Sequence, residues 1–172
     1  VVPLGNRVKL PKRLHFPLIV KSLTYESSTG ISQASVVENE EQLNKRVQFI
    51  HDTIMTPAIV EEFIDGRELY VGVLGNERLT ALPAWELDFG TLSQVQSGIA
   101  TRKVKWDPAY QAKHGIATGP ARDLSPAQQE GLSKLAKRIY RALHMSGYAR
   151  MDLRMRADGS LFDAEASIAH VE

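Results

Sequence analysis

The sequence predicts an α+β fold with antiparallel strand pairing, and three observations carry that expectation. Short apolar or alternating runs outnumber helical stretches, and their order is not the regular strand–helix–strand succession of a parallel sheet. Helix starts are written in capping residues at Asn39 and Ser125. The stretch from Tyr148 to Ser167 carries the two-residue period of a half-buried hairpin.

Taken in order, Phe16 to Lys21 reads as a short buried strand after a proline break. A hydroxyl-rich stretch ends at Gly30, and Ile31 to Val37 reads as the returning strand. Asn39 with Gln42 caps a helix whose apolar face is Leu43, Val47 and Ile50. Ala58 to Phe63 and Arg67 to Leu74 read as strands joined by an Asp65-Gly66 turn, and Gly75-Asn76 turns the chain into a strand over Arg78 to Leu87. Positions 88–124 read as irregular, with a basic insert at Arg102-Lys103-Val104-Lys105. Ser125, Pro126 and Gln128 then open a helix that presents Leu132, Leu135, Ala136, Ile139, Ala142 and Leu143 and stops at Gly147.

Composition excludes several classes of function. The 172 residues are 43% hydrophobic and 24% charged, enough for a core and ordinary for a globular chain. With 21 basic against 20 acidic residues, the net charge of +1 gives no bulk attraction to a polyanion, and so no nucleic-acid partner. The absence of cysteine removes thiolate nucleophiles, disulfides and cysteine metal sites. No apolar run spans a membrane and no signal-peptide pattern opens the chain, so the expected compartment is the cytoplasm. Histidines 15, 51, 114, 144 and 170 show no ligand spacing. Both termini fall in sequence that reads as structured, and the expectation is a fragment.

The last hairpin concentrates charge. If Asp158-Gly159 makes a two-residue turn, Asp152 faces Glu165, Arg150 faces Ser167 and Arg154 faces Asp163. Met151, Leu153 and Met155 then face Ala166, Ala164 and Phe162 on the core side. Opposed carboxylates repel, so this pair either shifts a pKa or recruits a hard cation such as Mg2+, unless solvent or Arg150 and Arg154 neutralise it.

Further pieces give this pair a context. Lys21 closes a buried strand, E-S-S-T-G follows at 26–30, and I-V-E-E-F-I-D-G-R-E-L lies at 59–69. G-Y-A-R-M-D-L and D-G-S-L-F-D-A-E-A close the set. In this order the motifs resemble the ATP-grasp superfamily, and within it the D-alanine–D-alanine ligase branch, over the chain from Phe16 to Ser167. The resemblance implies the ATP-grasp fold, two lobes with antiparallel sheets gripping the nucleotide. An N-terminal lobe over 1–60 would carry a phosphate-covering loop, and a C-terminal lobe over 61–172 the metal site.

Lys21 holds the place of the family's phosphate-contacting lysine, and Ser27, Ser28 and Gly30 that of the loop closing over the triphosphate. Glu61, Glu62, Phe63 and Ile64 fall on the strand that receives adenine, Glu61 near the exocyclic amine. The two glutamates point to opposite faces, so only one is inward. Glu68 matches the carboxylate on the ribose hydroxyls. Lys105 matches a second phosphate-contacting lysine on a mobile loop, with Lys103 competing from the same side of an extended chain. Arg150 would stabilise charge on the transferred phosphoryl, and Asp152 and Glu165 match the Mg2+ ligands.

The sequence departs from the family pattern at Ser167, where an asparagine is usual, and at Asp163, where the family is usually apolar. The resemblance also leads one to expect an N-x-x-P-like tail from position 167 and a substrate domain ahead of the lobes, and neither is found in these 172 residues. The resulting expectation is an ATP- and Mg2+-dependent carboxylate–amine ligase domain acting on small molecules, with the N-terminal domain or a homodimer partner supplied from outside. The alternatives are a non-catalytic nucleotide-binding module and an interaction domain that has lost ATP.

Overall fold

In a computed structural model the chain divides into two compact units, residues 1–63 with 91–114 and residues 64–90 with 115–172. The structure describes residues 1–25, 30–94 and 98–168, with residues 94 and 163–168 described through their backbone alone. No helix among them is long and apolar enough to cross a membrane.

The first unit is built on a three-stranded antiparallel sheet, ordered β2-β1-β3, from β1 (Leu18–Ser22), β2 (Val36–Val37) and β3 (Ala58–Glu62). Along β1 Leu18, Val20 and Ser22 are buried and Ile19 and Lys21 are not, as the strand period requires. Helix α1 (Glu40–Phe49) covers the buried face, and Leu43, Val47 and Ile50 join Leu18, Val20, Val37 and Ala58 in the core. Its start is the expected one. The Asn39 side chain accepts from the Gln42 N–H at 3.0 Å, and the Gln42 side chain accepts from the Glu38 N–H at 2.8 Å.

The strand expected over Ile31–Val37 shrinks to its last two residues. Gln33–Ser35 form a 3-10 turn in which the Ser35 hydroxyl accepts from the Ser32 N–H, an option that small hydroxyl residues offer against strand pairing.

The stretch expected to be irregular contains two helices of the first unit, α2 (Arg102–Trp106) and α3 (Pro108–His114). The Thr101 side chain accepts from the Val104 N–H, and the Asp107 carboxylate accepts from the Tyr110 N–H at 3.0 Å just ahead of Pro108. The second unit takes the strand β7 (Ala117–Pro120) from the same stretch.

Among its described residues the second unit is a six-stranded antiparallel sheet with one helix on it. Its strands are β4 (Arg67–Leu74), β5 (Thr80–Ala81), β6 (Trp85–Asp88), β7, β8 (Tyr148–Met155) and β9 (Leu161–Ile168), in the order β7-β6-β4-β8-β9 with β5 also on β4. The single strand expected from Arg78 to Leu87 is broken at Pro83, which has no N–H to give a ladder. Helix α4 (Pro126–Ala142) begins with the reciprocal bonds of a capping box between Ser125 and Gln128. Leu132, Ala136, Ile139 and Tyr140 of α4 pack on Leu69, Val71, Val73, Ala149, Met151 and Leu153. Ala142 and Leu143, expected on that face, are exposed.

The last hairpin differs from expectation at its turn. The Gly159 N–H donates to the Arg156 carbonyl, and the Arg156 N–H to the Ser160 carbonyl, so the loop has three residues, with Gly159 at φ +84°. Next to the turn Met155 therefore pairs with Leu161, Arg154 with Phe162 and Leu153 with Asp163, each one residue off the expected register. An irregularity between Asp152 and Leu153 takes up Ala164 as an extra residue, and beyond it the expected pairs hold: Asp152 with Glu165, Met151 with Ala166, Arg150 with Ser167.

Candidate functional site

In the first unit the register sets Lys21 opposite Ile59 and Ile19 opposite Glu61, so Lys21 and Glu61 lie diagonally on one sheet face, away from the α1 core. Their charges meet at 2.7 Å, with the Lys21 side chain 24% and the Glu61 side chain 45% exposed. Glu62 opposes Leu18 and falls on the other face. Phe63 is buried and its N–H donates to the Pro17 carbonyl at 2.9 Å, while Ile64 is half-buried and opens the second unit.

Gly30 has φ +71°, and its carbonyl accepts from the Arg46 guanidinium, which also donates to Ser35. Ser27 and Ser28 lie outside the described residues. Lys103 and Lys105 sit on α2 rather than on an extended chain. Two residues on a helix are rotated by about 200°, so the two lysines diverge instead of sharing a side. Lys105 is half-buried and Lys103 exposed.

The second unit gathers charge on one face. Pairing of β4 with β8 sets Glu68 opposite Arg154, Tyr70 opposite Asp152 and Gly72 opposite Arg150, alternating with the apolar pairs that face α4. The Arg150 guanidinium donates from Nε to Asp152 Oδ1 at 2.6 Å and from its terminal nitrogen to Oδ2 at 2.9 Å, a two-pronged pair on a buried carboxylate. The same guanidinium lies 4.6 Å from the centre of the Tyr70 ring.

The Tyr70 hydroxyl donates to Glu68 Oε1 at 2.9 Å, and Arg154 donates to Glu68 Oε2 at 2.8 Å and to the Gly66 carbonyl at 3.3 Å. Arg154, expected to face Asp163, is thus committed to Glu68 on the neighbouring strand. Glu68 and Asp152 are each paired with an arginine. Burial, then the charge of Glu68 and the hydrogen bond to it, push the Tyr70 phenol far above its usual range.

Asp152 and Glu165 are directly opposed on β8 and β9. Among the described residues no three His, Cys, Asp or Glu side chains converge on one point. Magnesium does not require three, since it commonly takes one or two carboxylates, waters and substrate phosphates. The hard oxygens of Asp152 fit such an ion, each keeping a lone pair beside its bond to Arg150.

Sequence reasoning missed Tyr70 and Arg154 as partners of Glu68. The signal available was the matched polar alternation of Glu68 and Tyr70 in β4 and Arg150, Asp152 and Arg154 in β8.

These units have the ATP-grasp fold. VanG D-Ala:D-Ser ligase from Enterococcus faecalis matches 90% of this chain and 41% of its own at 25% identity, with a TM-score of 0.64. The D-ala D-ala ligase C-terminus family matches residues 6–167, and the chain belongs to that family. The D-alanine–D-alanine ligase of Desulfotalea psychrophila is 33% identical over 159 residues, covering 92% of this chain and 46% of the relative. That of Desulforudis audaxviator is 36% identical over 140 residues, covering 81% and 41%. The chain thus spans less than half the length of these curated relatives. The Bacillus anthracis D-alanine–D-alanine ligase complexed with ATP shares the fold at 18% identity and TM-score 0.62.

Proposed function

We propose that the chain is the nucleotide-binding part of a D-alanine–D-alanine ligase-like, ATP- and Mg2+-dependent carboxylate–amine ligase that forms an amide or peptide bond through an acyl phosphate. The observation that carries this reading is the β8–β9 register, which opposes Asp152 to Glu165 beside the Arg150 fork. Family membership supports the reaction class.

In this reading Lys21 and Lys105 meet phosphate oxygens and Gly30 belongs to the loop over them. Glu61, Phe63 and Ile64 line the adenine. The backbone of this strand would supply donor and acceptor to the purine edge, the Phe63 N–H being already given to the Pro17 carbonyl. Glu68 accepts from the ribose hydroxyls. Asp152 and Glu165 would hold magnesium, which when bound draws phosphate oxygens together and offsets their charge. Arg150 stabilises negative charge on the γ-phosphoryl as its bond to the ADP oxygen breaks and a bond to a substrate carboxylate oxygen forms. An amine then attacks the acyl carbon and phosphate leaves. The carboxylate and amine sites, a small-molecule matter, would be completed by an N-terminal domain or a second subunit.

A second reading, a non-catalytic nucleotide-binding module, is favoured by Ser167, which stands opposite Arg150 where the resemblance calls for an asparagine. Calorimetric titration with ADP and a non-hydrolysable ATP analogue, with and without Mg2+, tests both. We expect binding that needs Mg2+ and weakens about tenfold or more in Asp152→Ala. Binding indifferent to both changes supports the module, and no binding overturns both readings.

A further inference from the structure

Glu68 is held more tightly than an acid on a solvated strand edge would be. Its side chain is 7% exposed, and each carboxylate oxygen has its own donor, Tyr70 on Oε1 and Arg154 on Oε2. Arg154 is itself only 10% exposed and is fixed further by the Gly66 carbonyl and by the Phe89 ring, 5.9 Å from its guanidinium carbon. Stability does not account for this arrangement, because replacing a buried ion pair by apolar residues of similar volume is often neutral or favourable. A carboxylate locked by two donors is instead pre-organised. It keeps free lone pairs in one fixed direction, and a ligand hydroxyl need not restrict its rotation on binding.

We propose that Tyr70 and Arg154 are positioning residues that fix the Glu68 carboxylate for the sugar hydroxyls of the nucleotide, an inference that rests on the assignment of Glu68 to the ribose. Tyr70 has a second part. Its hydroxyl serves Glu68 while its ring carries the Arg150 guanidinium, so one side chain ties the sugar acid to the phosphoryl-site arginine.

The test compares ATP with 2′,3′-dideoxy-ATP by calorimetry on the full chain in saturating Mg2+. The dideoxy nucleotide lacks the hydroxyls that Glu68 would accept from and keeps the base and phosphates. The wild type should prefer ATP by roughly 10- to 100-fold, as for hydrogen bonds to a charged acceptor. Tyr70→Phe should cut that preference by about threefold to tenfold while leaving the affinity for dideoxy-ATP unchanged. Arg154→Met should abolish the preference, and Arg154→Lys, which keeps the charge, should restore part of it.

Thermal unfolding of each variant identifies any that fails to fold, and Tyr70→Phe removes a single oxygen. A preference that survives intact in Tyr70→Phe or in folded Arg154→Met, or an equal loss for both nucleotides, overturns the positioning role. A wild type that binds both nucleotides equally overturns the ribose assignment and this inference with it. A wild type that binds neither overturns the nucleotide reading itself.

Discussion

Lys21→Ala removes the ammonium that β1 sets on the sheet face away from α1, and two separate costs can be worked out. The pair with Glu61 closes at 2.7 Å, but the side chains are 24% and 45% exposed. Such a pair is screened by water and salt, so its loss should cost about 0–1 kcal/mol of stability. A lysine on a phosphate is worth more, about 1.5–3 kcal/mol for a charge-assisted bond, which is roughly 10- to 150-fold in Kd. The assay is titration of ADP and adenosine into wild type and variant, alongside urea unfolding. ADP affinity should fall by that factor, adenosine affinity should hold, and the unfolding midpoint should barely move. An equal loss for adenosine, or unchanged ADP binding, would refute a phosphate contact.

Tyr70 should make stability sensitive to alkali. Its phenol is raised in the folded state by burial first and Glu68 second, so folding holds a proton that the unfolded chain releases above its ordinary pKa of about 10. Stability is full below that pH and falls above it, and the advantage of wild type over Tyr70→Phe should shrink by about 1.4 kcal/mol between pH 9 and pH 11. A constant gap in urea unfolding would show that Tyr70 titrates normally. Ser125→Ala breaks the box that starts α4 and should cost about 1 kcal/mol in the same assay, with Ser125→Asp recovering most of it. Gly66→Ala should be far more damaging: Gly66 has φ +149°, and a Cβ there would stand 2.2 Å from the Met155 carbonyl oxygen. Its soluble yield and melting temperature, set beside those of Ser125→Ala, check the ranking.

Local chemistry was legible in the sequence and distant pairing was not. Asn39 and Ser125 announce their helices because a cap is read from residues three apart. Asp107-Pro108 carries the same signature and opens α3, but it was hidden inside a Gly- and Ser-rich stretch. The pair of Asp152 and Glu165 was reached through a two-residue turn that does not exist. The loop adds one residue and the irregularity at Ala164 restores the register, so two departures cancel at that rung. Arg154 illustrates the opposite limit. Nothing within its own hairpin points to Glu68, because their meeting depends on β4 lying beside β8, 86 residues apart in the chain.

The order in which the backbone visits the two units has its own consequence. The chain leaves the first after Phe63, re-enters it at Thr91 and departs again after His114. Three peptide crossings therefore join the halves, and a protease that nicks any one of them releases two fragments, at least one of which carries parts of both units. Shortening a gene from either end cannot isolate the first unit, since stopping at Phe63 discards α2 and α3 along with Lys105. Obtaining it alone requires a splice from Phe63 to Thr91, which no truncation of the gene from one end provides.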